Sequence, residues 1–217
     1  MNAIIFGAPG SGKGTYASRL KTRMGVEVIS MGDIFREIMK KETDFGKKVK
    51  QFVEKGLLVP DEIVIEVLRK KLSEIPVGKG VIFDGYPRTI VQAENLQKIV
   101  KIDAILLQNV PNWIIIERLS SRRICKNCNE VYNIRFLKPK IKNVCDKCNG
   151  QLYQRPDDTA EVIKKRIQLY QEMTSPIIKY YDDKKISFII SEITELQTPP
   201  EKVVEKILVE LKELKLA

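Results

Sequence analysis

The sequence predicts an α/β protein in which a parallel sheet is flanked by helices. Short apolar runs alternate with longer amphipathic segments, the pattern of parallel strands joined by crossover helices. A glycine-rich loop with a lysine follows the first apolar run and leads into a helical pattern. Two segments, 30–59 and 123–157, interrupt the alternation, and we interpret them as small insertions on the core.

The individual elements follow from these patterns. Short runs of mostly apolar residues predict strands at 2–6, 27–29, 80–83, 103–107 and 186–190. Apolar residues at helical spacing predict helices at 13–24, 31–41, 44–55, 61–74, 89–99, 112–122, 159–183 and 200–215. The last helix follows the sequence TPPE at 198–201, which is typical of a capping box with prolines in the first turn.

The loop at residues 7–15 reads GAPGSGKGT. Its glycines allow backbone N–H groups to turn toward an anion, and the helix that follows adds the partial positive charge of its N-terminus. Lys13 adds a full positive charge. The combination predicts a nucleotide-phosphate site formed by Gly10, Ser11, Gly12, Lys13, Gly14 and Thr15.

The residue after this lysine departs from the general pattern. Many phosphate-binding loops place a Ser or Thr there as a Mg²⁺ ligand, whereas this chain has Gly14 and places its hydroxyl at Thr15. Because Mg²⁺ keeps several waters and takes few protein ligands, we expect phosphates, water and a carboxylate elsewhere to hold it.

Four cysteines lie in the second insertion with the spacing Cys125-x2-Cys128-x16-Cys145-x2-Cys148. This spacing falls within the range of four-cysteine zinc sites, and four thiolates leave no open position on a tetrahedral ion. We therefore expect a structural Zn²⁺ bound by Cys125, Cys128, Cys145 and Cys148. Two disulfides and an iron ion are the alternatives.

Composition and charge limit the function further. The formal net charge is +10, and residues 118–150 hold nine Lys or Arg against two acidic residues. A basic, metal-bound segment suits either a polyphosphate or a nucleic acid, and charge alone does not separate these ligands. No apolar run is long enough to span a membrane, and the N-terminus lacks the pattern of a signal peptide, so we expect a cytoplasmic protein. The chain has no histidine, which excludes imidazole catalysis.

Beyond the loop and the cysteines, five blocks stand out. They read ISMGDIFR at 29–36, GLLVPD at 56–61, FDGYPRTIVQA at 83–93 and RLSSRR at 118–123, and RPDD at 155–158 leads on to Arg166. With these blocks the chain resembles, over almost its whole length, adenylate kinases of the long bacterial type with a zinc-bearing lid. The resemblance implies a P-loop nucleoside-monophosphate-kinase fold and the reaction Mg·ATP + AMP ⇌ 2 ADP.

The resemblance also implies roles for particular residues. The catalytic set comprises Lys13, Asp84, Arg88, Arg122, Arg155, Asp157, Asp158 and Arg166. ATP is expected to contact the loop residues above, Arg122, and Arg118, which stacks on the adenine. AMP is expected to contact Met31, Gly32, Arg36, Leu57, Val59, Gly85, Arg88, Gln92, Arg155 and Arg166. Arginine suits these positions because its planar group binds phosphate oxygens in pairs and stays charged.

Gln92 is the residue that indicates which base the acceptor nucleotide carries. An amide can donate and accept at once, as the edge of adenine requires. In the family a glutamine here accompanies AMP, and an asparagine is usual in pyrimidine-monophosphate kinases. A kinase for another nucleoside monophosphate is one alternative, and a nucleic-acid-binding module built on the zinc segment is the other.

The sequence thus predicts a core of 1–29, 60–121 and 159–217, an AMP-binding insert at 30–59 and a zinc lid at 122–158. We expect Mg²⁺ and Zn²⁺ as cofactors and ATP, AMP and ADP as ligands. We expect a monomer that binds neither nucleic acid nor membranes.

Overall fold

The computed structural model describes residues 1–41 and 43–216. Residues 42 and 217, which fall in the predicted insert and core, lie outside the described residues. Within the described ranges, no helix is both long enough and apolar enough to cross a membrane.

Two sheets are present in the described part of the chain. Their strands are β1 (Asn2–Gly7), β2 (Glu27–Ser30), β3 (Val81–Asp84), β4 (Ala104–Asn109), β5 (Arg122–Cys125), β6 (Val131–Asn133), β7 (Leu152–Tyr153) and β8 (Ser187–Glu192). The larger sheet is parallel throughout, in the spatial order β2-β3-β1-β4-β8. The smaller sheet is antiparallel, in the order β6-β5-β7, and belongs to the cysteine segment.

Nine α-helices are described. They are α1 (Lys13–Met24), α2 (Met31–Lys40), α3 (Asp44–Val53), α4 (Asp61–Ser73), α5 (Ile90–Gln97), α6 (Asn112–Ser120), α7 (Ala160–Leu169), α8 (Ser175–Asp183) and α9 (Pro200–Glu213). The predicted strands and, apart from the range 159–183, the predicted helices are confirmed, with ends shifted by one or two residues. Such shifts are normal for element boundaries.

The sheet is buried on both faces because successive residues of its strands point to opposite sides. In β1, Ala3 and Ile5 pack toward α1 and α9, whereas Ile4 and Phe6 pack toward α2 to α5 and α8. Helices α6 and α7 cover the loop after β1 through a third apolar cluster that includes Ala8.

The parallel arrangement brings the carboxyl ends of the strands to one edge. At that edge β1 ends at Gly7, β2 at Ser30 and β3 at Asp84, with Ile5 of β1 paired in register with Asp84. Ligands of open parallel sheets bind at this edge.

The prediction of one continuous helix at 159–183 is wrong. The range 159–183 divides into α7 and α8, separated by a π-helical turn at Tyr170–Thr174. Pro176 has no N–H and cannot donate to the carbonyl of residue 172, so regular helical bonding cannot continue through this point. The Thr174 hydroxyl donates to the Arg88 carbonyl (3.3 Å), which ties this turn to the loop after β3.

Two other helix ends also differ from prediction. The capping box at 198–201 is wrong, because α9 begins after Pro199 without a side-chain cap and the Thr198 hydroxyl donates to the Glu195 carbonyl (3.0 Å). The helix predicted at 112–122 ends at Ser120, and Arg122 begins β5.

Candidate active site

The glycine-rich loop connects β1 to α1. Gly12 precedes α1 with φ of 100°, and a Cβ there would lie 2.7 Å from the Tyr16 ring, so a side chain does not fit. The first turn of α1 contains no acidic residue. Its N–H groups lack partners within the helix, so its N-terminus is suited to bind an anion.

Lys13 folds back over this loop. Its Nζ donates to the carbonyls of Gly7 (2.7 Å) and Ala8 (2.9 Å). Burial of the ammonium group lowers the pKa of Lys13 to about 8, although the negative charge of Asp84 opposes the shift. Lys13 is therefore a cation that a bound phosphate would stabilise.

Three polar side chains meet beside Lys13. Asp84 is buried, and Ser30 donates to its Oδ2 (3.2 Å). Burial raises the pKa of Asp84, as does the charge of Asp33, while Lys13 lowers it. Two neighbouring carboxylates and a hydroxyl are oxygen donors of the kind that Mg²⁺ and its bound water prefer.

Five arginines come to the same region from separate parts of the chain. Arg36 lies in α2 and Arg88 in the loop after β3, while Arg122 begins β5, Arg155 follows β7 and Arg166 lies in α7. Burial and then the charge of Arg166 lower the pKa of Arg88 to about 10. Burial and then Arg122 lower the pKa of Arg155 to about 10. These shifts indicate that Arg88 and Arg155 are desolvated and that their neighbours Arg166, Arg122 and Arg36 lie close enough to repel them.

Two acidic residues partly neutralise this cluster. Both oxygens of Asp158 accept from Arg122, at 2.6 and 2.8 Å, and the Asp158 side chain has no exposed surface. Asp157 accepts from Arg166 at 2.8 Å. Burial opposes ionisation of Asp157, but Arg166 and Arg122 hold its pKa below the usual range. These carboxylates fix the direction of the two guanidinium groups.

Two buried polar atoms at the site have no partner among the described residues, the Arg155 Nε and the Ser11 Oγ. Such atoms are costly to bury unless a ligand or water completes their hydrogen bonds. With Lys13 they indicate a site for an oxygen-rich anion.

A second set of residues lies around the end of β3 and the start of α5. Gly85 has φ of 69°, and its carbonyl accepts from Arg88 Nε (2.9 Å). Gln92 is 2% exposed, its Oε1 accepts from the Arg88 backbone N–H (2.8 Å), and its Nε2 donates to Asp61 (2.6 Å). The Gln92 amide is thus fixed at both ends.

The other residues predicted to contact AMP come mainly from the segment between β2 and α4. Met31 and Val59 are buried in the core cluster, so their side chains support this region by packing. Gly32 lies under the Arg36 guanidinium, and a Cβ there would come within 3.1 Å of it. Leu57 donates its backbone N–H to the Phe52 carbonyl (2.9 Å).

Two cavities adjoin these residues. The larger, about 600 Å³, lies between α1, α2 and the end of α4 and includes Asp33 and Asp84 in its lining. The smaller, about 80 Å³, lies over the glycine-rich loop and is lined by Lys13, Arg88 and Arg166. The buried cations Lys13, Arg88 and Arg166 thus converge at the smaller cavity.

Arg118 is held apart from the arginine cluster. Its guanidinium donates to the Leu196 carbonyl (3.1 Å) and weakly to the Glu195 carbonyl (3.4 Å), in the loop between β8 and α9. These contacts fix the direction of the guanidinium group. The next residue of α6, Leu119, lies against Gly10 of the glycine-rich loop.

The four cysteines converge in the second insertion. Their Sγ atoms lie within 4.8 Å of one another, and the closest pairs are Cys125–Cys148 (3.4 Å) and Cys128–Cys145 (3.5 Å). All four are free, so the alternative of two disulfides is wrong. Zinc–sulfur bonds of about 2.3 Å place tetrahedral ligands roughly 3.8 Å apart, which fits this cluster.

Two matching turns build the cluster. Asn129 and Asn149 each follow the second cysteine of a pair, with φ near 60°, and their N–H groups donate to the carbonyls of Cys125 and Cys145. Each cysteine pair therefore lies in a tight turn of the same kind.

Sequence reasoning missed three residues of this region. Asp33 lies beside Asp84 and pairs with Arg36 (2.5 Å), Ser30 donates to Asp84, and Asp61 holds Gln92. All three fall inside the blocks at 29–36 and 56–61. Their position within these blocks marked them as candidate site residues, but the sequence does not reveal which side chains they contact.

Comparison with known proteins agrees with the geometry. The family model described as adenylate kinase matches residues 5–186. An adenylate kinase of Caldicellulosiruptor saccharolyticus is 49% identical over 189 residues, covering 85% of this chain and 88% of that protein. An adenylate kinase of Archaeoglobus fulgidus is 42% identical over 202 residues, covering 91% and 93%. The glycine-rich loop, the arginine cluster and these matches together show that the chain belongs to the adenylate kinase family of ATP:AMP phosphotransferases.

Proposed function

We propose that this chain transfers a phosphoryl group reversibly from Mg·ATP to AMP by bringing the two nucleotides together over the glycine-rich loop. The observation that carries the proposal is the convergence of Lys13, Arg88, Arg155 and Arg166 in one buried space, with Arg36 and Arg122 beside it. Phosphoryl transfer between nucleotides leaves little covalent work for a protein, so positioning and charge stabilisation dominate.

On the donor side, the N–H groups at the start of α1 and Lys13 bind the ATP phosphates. Arg122 and Arg166 lie across the site with their guanidinium groups fixed by Asp158 and Asp157. They are placed to neutralise charge that develops on the transferred group. Arg118, held by the loop between β8 and α9, covers the adenine.

On the acceptor side, Arg36 and Arg88 bind the AMP phosphate, and Gln92 contacts the base. Arg155 of the second insertion pairs weakly with Asp33 of the first (3.9 Å), so it connects the two insertions and is placed to contact either phosphate group. The acceptor phosphate is ionised at neutral pH, which is why the reaction needs no histidine.

Mg²⁺ fits the carboxylates at the strand ends. When bound with ATP, the ion neutralises phosphate charge and orients the oxygens of the transferred group. Asp84 and Asp33 would hold its water shell, and Ser30 fixes Asp84 through a hydrogen bond. Both oxygens of Asp158 already pair with Arg122, so Asp158 would contribute less directly to that water shell.

We assign three parts to the chain: a core of 1–29, 60–121 and 159–217, an AMP-binding insert at 30–59 and a lid at 122–158. The four thiolates suit a closed, structural Zn²⁺ site, which would hold β5, β6 and β7 together. Closure of the lid over ATP would exclude water, which could otherwise take the phosphoryl group.

Steady-state rates of ADP formation with AMP, GMP, CMP and UMP test the proposal. AMP should be the preferred acceptor, and Lys13→Ala should reduce the rate on the order of 10²-fold or more. Lys21→Ala is a matched control, since Lys21 lies in the same helix but pairs with Glu27 at the surface. Full activity of Lys13→Ala would refute the assignment of the loop. Equal rates with UMP and AMP would refute the acceptor, and RNA binding without ADP formation would favour a nucleic-acid module.

A further inference from the structure

We propose that Asp61 is a positioning residue that fixes the direction of the Gln92 amide, and so makes the acceptor site select a 6-aminopurine over a 6-oxopurine. The inference rests on the proposed function, in which Gln92 contacts the acceptor base. It assigns the selectivity to a carboxylate that itself does not touch the nucleotide.

The contacts around Gln92 define the direction of its side chain. The Arg88 backbone N–H can only donate, and Gln92 Oε1 faces it at 2.8 Å. An ionised Asp61 carboxylate can only accept, and Gln92 Nε2 faces it at 2.6 Å. Rotating the amide by half a turn would set nitrogen against a donor and oxygen against a carboxylate.

Asp61 is itself held in place. Its second carboxylate oxygen accepts from the Thr89 hydroxyl (3.0 Å), and that hydroxyl accepts from the Gln92 backbone N–H (3.1 Å). The Tyr86 hydroxyl donates to the backbone carbonyl of Gln92 (3.1 Å). The starts of α4 and α5 are therefore joined through one chain of hydrogen bonds with matched donors and acceptors.

This arrangement matters because an amide that rotates freely accepts either kind of purine. A 6-aminopurine presents a donor at its amino group and an acceptor at N1, and a 6-oxopurine presents the reverse. An amide oxygen can accept two hydrogen bonds and its nitrogen can donate two, so one of each is left for the base. With the direction fixed, only one kind of purine matches, and the other must break two buried hydrogen bonds to bind.

A purely structural role for Asp61, in stabilising the start of α4, has to be distinguished from the proposed positioning role. Asp61 begins α4, and an acidic residue in a first turn stabilises a helix whatever else it contacts. Glu62 is the next residue of the same turn and is exposed. Glu62→Ala therefore removes a first-turn charge without touching Gln92, and serves as the matched control.

Three substitutions at Asp61 test the proposal. Asp61→Leu removes the acceptor, whereas Asp61→Asn removes the charge but keeps an oxygen that can face Gln92 Nε2. Asp61→Ser keeps a residue that is favoured near helix starts, but its oxygen lies one bond closer to the backbone and falls short of Nε2. Asp61→Ser keeps the test valid if the leucine variant does not fold.

The measurements are kcat and KM for AMP and for GMP at saturating ATP, KM for ATP, and the thermal midpoint. Asp61→Leu and Asp61→Ser should reduce the AMP:GMP ratio of kcat/KM on the order of 10- to 100-fold and raise KM for AMP, with KM for ATP unchanged. Asp61→Asn and Glu62→Ala should keep the wild-type ratio.

An unchanged AMP:GMP ratio in folded Asp61→Leu or Asp61→Ser would overturn the proposal. So would an equal loss in Asp61→Asn, because that result assigns the effect to charge. These results concern Asp61 alone if wild-type protein prefers AMP. If wild-type protein does not phosphorylate AMP, the proposed function itself fails.

Discussion

Because the pKa of Lys13 is lowered, phosphate binding should be coupled to uptake of a proton by the Lys13 side chain. In the free protein, burial lowers this pKa to about 8, from an ordinary value of 10.5. Bound phosphates would place several negative charges beside the ammonium group and return its pKa toward or above the ordinary value. ATP binding should therefore draw a proton onto Lys13 wherever the free protein has lost it.

The size of the effect follows from the two pKa values. Proton uptake on ATP binding should be about 0.1 per site at pH 7 and about 0.5 at pH 8. The terminal phosphate contributes little at pH 8, since the second pKa of a phosphoester is about 6. The loss of the Lys13 charge should raise the Kd for ATP about tenfold between pH 7 and pH 9.

The contribution of Lys13 to folding stability changes with pH in the opposite direction to its contribution to nucleotide affinity. Between pH 8 and 10.5 the unfolded chain holds a proton on Lys13 that the folded chain has lost. Stability from this group therefore rises with pH in that window, while nucleotide affinity falls.

Titration calorimetry in two buffers of different ionisation enthalpy measures the uptake directly. The control is Lys13→Arg, because a guanidinium keeps its charge over this range and should abolish the pH-dependent uptake. Uptake that stays near zero at pH 8, or that persists unchanged in Lys13→Arg, would refute the reasoning.

Two further predictions concern the acceptor pocket and the lid. Arg88→Ala should raise KM for AMP far more than KM for ATP. Arg23→Ala serves as a surface control, since Arg23 pairs with Glu205 in α9. The reverse pattern in steady-state kinetics would contradict the division of the two pockets. Removing the metal with a chelator, or Cys125→Ser, should lower the thermal midpoint on the order of 10 °C while altering the rate at low temperature much less. The reason is that the buried apolar cluster of the lid consists of only Cys125, Tyr132, Cys145 and Leu152. Calorimetry and rates at 25 °C check this, and an equal immediate loss of both would indicate a catalytic metal.

The sequence predicted the core elements to within one or two residues because their signals are local. Apolar runs define the strands of the sheet, and the spacing of the cysteines defines the two turns that bring them together. The break between α7 and α8 also had a local signal, since Pro176 stands inside the predicted helix. The prediction of a capping box at 198–201 was wrong because a matching sequence motif does not ensure that its side chains bond to the end of the helix.

Contacts between distant residues were not accessible in this way. Asp61 and Gln92 are 31 residues apart, and their hydrogen bond depends on how α4 and α5 pack on the sheet. The same holds for Asp158 and Arg122, 36 residues apart. Sequence motifs indicated which charges the site contains, but only the fold shows which carboxylate holds which cation.

The charge distribution also explains why acidic residues are needed in a site for anions. Five arginines and Lys13 come from different elements, and their mutual repulsion and desolvation lower several of their pKa values. Asp157 and Asp158 keep Arg122 and Arg166 oriented while no phosphate is bound. Arg155, within the proposed lid, is less well neutralised, because its ion pair with Asp33 is long (3.9 Å) and its Nε has no partner among the described residues. Positive charge at this position would oppose closure of the proposed lid and insert, and a bound polyphosphate would remove that opposition. Phosphate binding and closure of the two insertions are therefore expected to be coupled through Arg155.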